Sequence, residues 1–111
     1  MADDYETGQD NNEARLAHYL DLLSDENPGN RWKGAIALGR WGDPVAVEAL
    51  VSALGDDDDR VRLKVIWALG AIGDTRAIAP LKNLYRIEND DTKEIIAEAL
   101  EAINRAVSGQ L

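Results

Sequence analysis

Few side chains in this sequence could perform chemistry. There is one histidine, His18, no cysteine, three serines, and one unbroken acidic run at residues 56–59. His18 sits between Ala17 and Tyr19 in a helical stretch, with no repeated His-Glu pair that would hold iron. The aspartate run lacks the spaced ligands, central Gly and closing Glu of a calcium loop, so it reads as helix capping and a solvated turn. The Gly-Asp pairs at 42–43 and 73–74 belong to no phosphate-binding motif. No Ser/His/Asp set has supporting context. The expectation is a non-enzyme with no metal and no cofactor. What remains is binding chemistry, carried by Trp32, Ile36, Leu63 and Trp67.

Composition narrows the partner. With 12 basic against 21 acidic residues the net charge is −9, which disfavours nonspecific binding to nucleic acid or anionic membranes. The absence of cysteine removes any disulfide framework. No apolar run approaches the ~20 residues of a membrane span, and no signal-peptide pattern is present, so the expected location is the cytoplasm. At 111 residues the chain is expected to form one domain. Phe is absent, and Ala, Leu, Ile and Val must carry the packing.

These residues are positioned by a repeat. RWKGAIALGRWGDPVAVEAL (31–50) aligns without a gap on RLKVIWALGAIGDTRAIAPL (62–81), a step of 31. Arg31/Arg62, Leu38/Leu69, Gly39/Gly70, Gly42/Gly73, Asp43/Asp74 and Leu50/Leu81 coincide. Another step takes Val65 to Ile96, Ala68 to Ala99, Leu69 to Leu100 and Ile72 to Ile103; a backward step takes Val47, Leu50 and Leu54 to Leu16, Tyr19 and Leu23. Each unit reads as two helices. In the second unit Val61, Val65, Ala68, Leu69 and Ile72 form an apolar stripe at helical spacing. Gly73 suits a left-handed C-terminal cap and Asp74 the cap of the next helix. Helices are expected near 13–24, 30–41, 44–54, 60–72, 75–88 and 91–106, with Pro80 bending the fifth. Residues 25–30 and 88–91 read as turns. Residues 1–12, polar and acidic, read as a disordered tail ahead of a repeat domain at 13–111, in units 13–41, 44–72 and 75–106.

VRLKVIWALGAIGD followed by AIAPL resembles the HEAT-like repeat of the phycobilisome-lyase type. Residues 61–84 match that pattern well and 31–54 match it with substitutions. Residues 92–103 keep only its apolar positions, as a terminal capping repeat would. The resemblance implies an all-α fold: a short, right-handed α-solenoid of three helix pairs and six helices, the second helix of each pair lining a concave face. It also implies that the positions free to vary with a partner are Trp32, Lys33 and Ile36, then Leu63, Lys64 and Trp67, then Glu94, Ile95 and Glu98. Arg40, Ala71 and Ala102 follow one turn along.

Helical geometry gives the same placement, because Trp67 lies about 200° from the core residue Val65 and Leu63 precedes Trp67 by four positions. Trp32, Ile36, Leu63 and Trp67 should therefore form one apolar patch, edged by Lys33, Lys64 and Arg40 and closed at one end by Glu94 and Glu98. Monomers rarely expose such a patch without binding something. Trp41, which replaces Ile72 in the repeat, reads as structural, its bulk compensated by the missing side chain at Gly34. The leading expectation is an adaptor that binds a segment of another protein. The alternatives are an accessory subunit of a chromophore-lyase type enzyme, a homodimer through the same apolar face or the C-terminal helix, and, last, nucleic-acid binding.

Overall fold

The computed structural model describes residues 8–109. The described residues are helical with turns between: α1 (Gly8–Leu23), α2 (Pro28–Trp41), α3 (Val47–Ala53), α4 (Asp59–Ile72), α5 (Ile78–Tyr85) and α6 (Asp90–Ser108). They pair as α1–α2, α3–α4 and α5–α6 and stack in that order, a short α-solenoid. Helix α1 starts earlier than residue 13, where it was expected; the rest of the supposed tail, residues 1–7, lies outside the described residues.

The capping chemistry explains the boundaries. Asp58 accepts from the amides of Arg60 and Val61 at the start of α4, which satisfies donors that the first helical turn leaves unpaired. Gly42 and Gly73 both end their helices at φ 77°, a left-handed conformation that costs glycine little. Asp43 and Asp74 then accept from Val45 N and Arg76 N. At 25–30 the turn is shorter than expected, because Asn27 caps a helix that starts at Pro28. A proline at that first position gives up no helical hydrogen bond.

The break in the segment that holds Pro80 comes before the proline. Each of the two corresponding segments opens with a 3₁₀ turn, Pro44–Ala46 or Thr75–Ala77, and only then becomes α-helical. The position equivalent to Pro80 is Ala49, so the break belongs to the repeat. Pro80 falls within the first turn of α5, where a missing N–H is tolerated.

The core holds Leu38, Leu50, Val61, Val65, Leu69, Leu81, Ile96 and Ile103, all fully or almost fully buried. Ile66 is buried as well, outside the apolar stripe read from the sequence. Its equivalents show why: Ala35, which has a unit stacked beyond it, is buried, whereas Ala97 in the last unit is exposed. Position 66 is covered by the next unit, not by its own helix partner. Gly34 also has a different role from the expected volume exchange with Trp41. A Cβ there would stand 2.8 Å from Leu23 N and 2.9 Å from Tyr19 O, so its missing side chain admits the backbone of α1. Trp41 packs edge-on against Tyr19, ring centres 5.9 Å apart, with the Arg15 guanidinium 5.9 Å from its ring centre; its structural role holds.

Repeat-equivalent arginines lock the joints. Arg31 donates to the Asp25 carbonyl and Arg62 to the Asp56 carbonyl, each within its own entry loop. Each also reaches the loop of the following unit: Arg31 to Asp56 at 2.7 Å and Asp57 at 3.1 Å, Arg62 to Glu88 at 3.7 Å. Burial raises the Asp56 carboxyl, but hydrogen bonds from Arg31 and the Asp58 amide outweigh it and hold the group below the usual aspartate range.

Candidate binding face

The second helices α2, α4 and α6 pack closely on one another, while the first helices barely touch. A stack tighter on one side closes toward that side, so the second helices line its inner face. Trp32 on α2 and Trp67 on α4 are 38% and 40% exposed there. Lys64 stands between them, its ammonium 5.8 Å from the Trp32 ring centre and 5.7 Å from that of Trp67. The expected arrangement put this lysine at the edge of an apolar patch. Instead it occupies the middle and holds both indoles by cation–π attraction, worth roughly 0.5–1 kcal/mol at exposed sites.

Trp67 owes its position to a glycine on the neighbouring helix. A Cβ at Gly39 would lie 2.5 Å from Cζ3 of Trp67, so the indole rests in the space Gly39 leaves on α2 and shows its other face to solvent. The sequence reading took Gly39 only as part of the repeat pattern. The repeat register does not link the two residues, since Gly39 corresponds to Gly70 and Trp67 to Ile36.

On the other side of Trp67 a cleft of about 160 Å³ opens between α4 and α6, lined by Ala71, Ala99, Ala102, Ile95 and Glu98. Ala71, Ile95 and Glu98 therefore join Trp67 as the sequence implied. Trp32 instead borders a pocket of about 250 Å³ with Pro28, Gly29, Asp58 and Arg60. Hydrogen bonds from the Arg60 side chain, and from the Arg60 and Val61 amides, hold Asp58 below the usual carboxylate range, so this pocket keeps an anion at its rim. Leu63 is half-buried and turns toward Asn89 and Thr92 at the loop end of α6, away from the cleft. Ile36 is half-buried, and Lys33, Arg40 and Glu94 are exposed. The single expected patch is thus a row, Trp32–Lys64–Trp67, with an apolar cleft at one end.

Among the described residues no group of three or more His, Asp or Glu is placed to hold a metal ion. His18 is exposed beside Tyr19, ring centres 6.0 Å apart. Among the described residues no helix is long and apolar enough to cross a membrane.

Comparison with known proteins agrees with the fold. The family model for HEAT repeats matches residues 16–101. A bilin biosynthesis protein, PecE, of Nostoc sp. strain PCC 7120 is 45% identical over 74 residues, covering 66% of this chain and 29% of that protein. Its counterpart in Mastigocladus laminosus is 40% identical over 74 residues, covering 66% of this chain and 28% of that protein. The chain thus spans under a third of the length of these curated relatives. The likeness to the phycobilisome-lyase type of repeat rests on these matches together with the repeat pattern itself. With three helix pairs stacked in register and the family match running from α1 into α6, the chain belongs to the HEAT-repeat family.

Proposed function

We propose that this chain is a non-catalytic docking module that holds a segment of another protein against the α2–α4–α6 face. One observation carries this reading: two tryptophans, aligned by a single lysine, stand 38% and 40% exposed beside an apolar cleft. Tryptophan is enriched among the residues that dominate binding energy, because it buries a large area while freezing few torsions. A cleft floored by alanines admits the ridge of a docked helix or the side chain of an extended strand. Ile95 and Trp67 supply its apolar walls and Glu98 a hydrogen-bond acceptor for the partner.

The test is an affinity capture from source lysate with wild type and Trp32→Ala/Trp67→Ala, read by mass spectrometry after confirming equal helicity. A defined protein recovered by wild type and lost by the variant supports the reading; identical recoveries defeat it. With the purified pair, Trp67→Ala is expected to weaken binding by about 2 kcal/mol, roughly thirtyfold.

A second reading is supported by the match to bilin biosynthesis proteins: the chain serves as an accessory part of a chromophore-handling enzyme, and the docked partner carries the chemistry. Mixing the chain with a free bilin and with a bilin-bearing protein separates the two. An absorbance change on mixing that Trp67→Ala abolishes favours this reading; an unchanged spectrum leaves protein docking without chromophore contact.

A further inference from the structure

The end of the stack offers a second surface. Between α5 and α6 lies a groove of about 650 Å³, lined by Ile78, Tyr85, Ala97 and Leu100, with Lys82 on one wall and Glu101 on the other. One repeat earlier, the same positions are Val47, Leu54, Ile66, Leu69, Val51 and Gly70. There the stacked α5–α6 pair covers them: Val47, Leu54, Ile66 and Leu69 are 1%, 7%, 0% and 0% exposed. At the end face Tyr85 is 41% exposed, Ala97 is exposed, and Ile78 and Leu100 are only half-buried. The groove therefore continues the pattern of the chain's own internal interfaces, and what fills such a face elsewhere in this molecule is an apolar helix pair.

We propose that this end face seats a second copy of the chain, α5–α6 against α5–α6 about a two-fold axis. The charges favour that arrangement. Lys82 and Arg86 lie on the α5 side and Glu101 on the α6 side. A two-fold axis running parallel to the helices sets each copy's α5 across from the partner's α6, which brings Lys82 of one copy to the side that carries Glu101 in the other, twice over. Head-to-tail stacking would need an apolar face at the other end. Of the described residues of α1, Glu13, Arg15, His18 and Asp21 are exposed instead, which favours the paired arrangement.

Sedimentation equilibrium across the micromolar range tests this. Wild type should approach twice 12.2 kDa as concentration rises. Leu100→Glu should raise the dissociation constant at least tenfold, with helicity unchanged by circular dichroism. Lys82→Glu should weaken the pair, and Lys82→Glu combined with Glu101→Lys should restore it, a rescue that a merely structural role for either residue would not produce. A wild type that stays monomeric throughout overturns the proposal. So does a dimer that ignores the end-face variants, including one lost only on Trp32→Ala/Trp67→Ala, which would place the contact on the inner face.

Discussion

The two joints of this solenoid use the same glycine for different ends. At the first joint Gly39 meets Ala68, with Cα and Cβ 3.0 Å from where a Cβ would stand, and Trp67 is laid over the gap. At the second joint Gly70 meets Ala99 at 2.9 and 3.0 Å and no indole follows, because Glu98 occupies the equivalent position. One joint is sealed by an aromatic ring and the other opens as the cleft between α4 and α6. The loop side shows the same contrast: Arg31 grips Asp56 at 2.7 Å, whereas Arg62 reaches Glu88 at 3.7 Å. The repeat sets how close the helices come, and the residue immediately before the alanine at each joint, Trp67 or Glu98, sets whether the inner face is filled or hollow.

The largest expected effect comes from making the joints alike in the core. Ile66→Ala gives the second joint the alanine that the first carries at Ala35, and should cost about 3 kcal/mol in chemical denaturation as a fully buried side chain leaves a cavity. A loss below about 1 kcal/mol would mean that α6 closes the gap and the joints are not distinct. Overpacking each glycine comes next. Gly39→Ala should cost about 2 kcal/mol and Gly70→Ala about 1 kcal/mol, because both crowd the facing helix but only the first must also displace an indole. In a Trp67→Ala background the Gly39→Ala cost should fall to that of Gly70→Ala, a coupling of about 1 kcal/mol. Equal costs with no coupling would remove Trp67 from the joint. The displaced ring should also red-shift the tryptophan emission of Gly39→Ala.

The smallest effect is a pH dependence at the first joint. Asp56 is held below its ordinary value in the folded chain. It therefore favours the fold above the unfolded aspartate value of about 3.9 and loses that contribution as pH falls through its lower folded value. Asp58 and Asp74 are shifted the same way, each first by a hydrogen bond from an arginine side chain. Stability should be level from neutral pH to about 5 and decline below about 4. Asp56→Asn should lower the melting temperature at neutral pH by roughly 5 °C and flatten the acid limb. Parallel acid limbs in the two proteins would show that this carboxylate is not what the first joint loses.

Local chemistry was legible in the sequence wherever one residue type answers one local demand. Gly42 and Gly73 mark left-handed caps because other residues pay to adopt that conformation. Asp43, Asp58 and Asp74 mark helix starts because a short carboxylate reaches the unpaired amides. The step of 31 gave the stacking order. Ile66 was not legible, because a helix in the middle of a stack is buried by a neighbouring unit as well as by its partner, and a single amphipathic stripe does not reveal the second contact. The role of Gly34 was misassigned for a related reason: an empty side chain makes room for whatever approaches, here the α1 backbone, and the sequence does not say from which side.

By itself, then, the sequence determined the period, the pairing of helices, their caps and the side of each second helix that bears Trp32, Lys64 and Trp67, since all of these follow from local stereochemistry and spacing. Only the tertiary structure decided that Lys64 stands between the tryptophans, that Gly39 receives the Trp67 ring, that Leu63 turns from the cleft and that the α5–α6 end lies open. Those facts depend on where the backbone of one unit meets the side chains of the next, and that distance is set by the packed core as a whole.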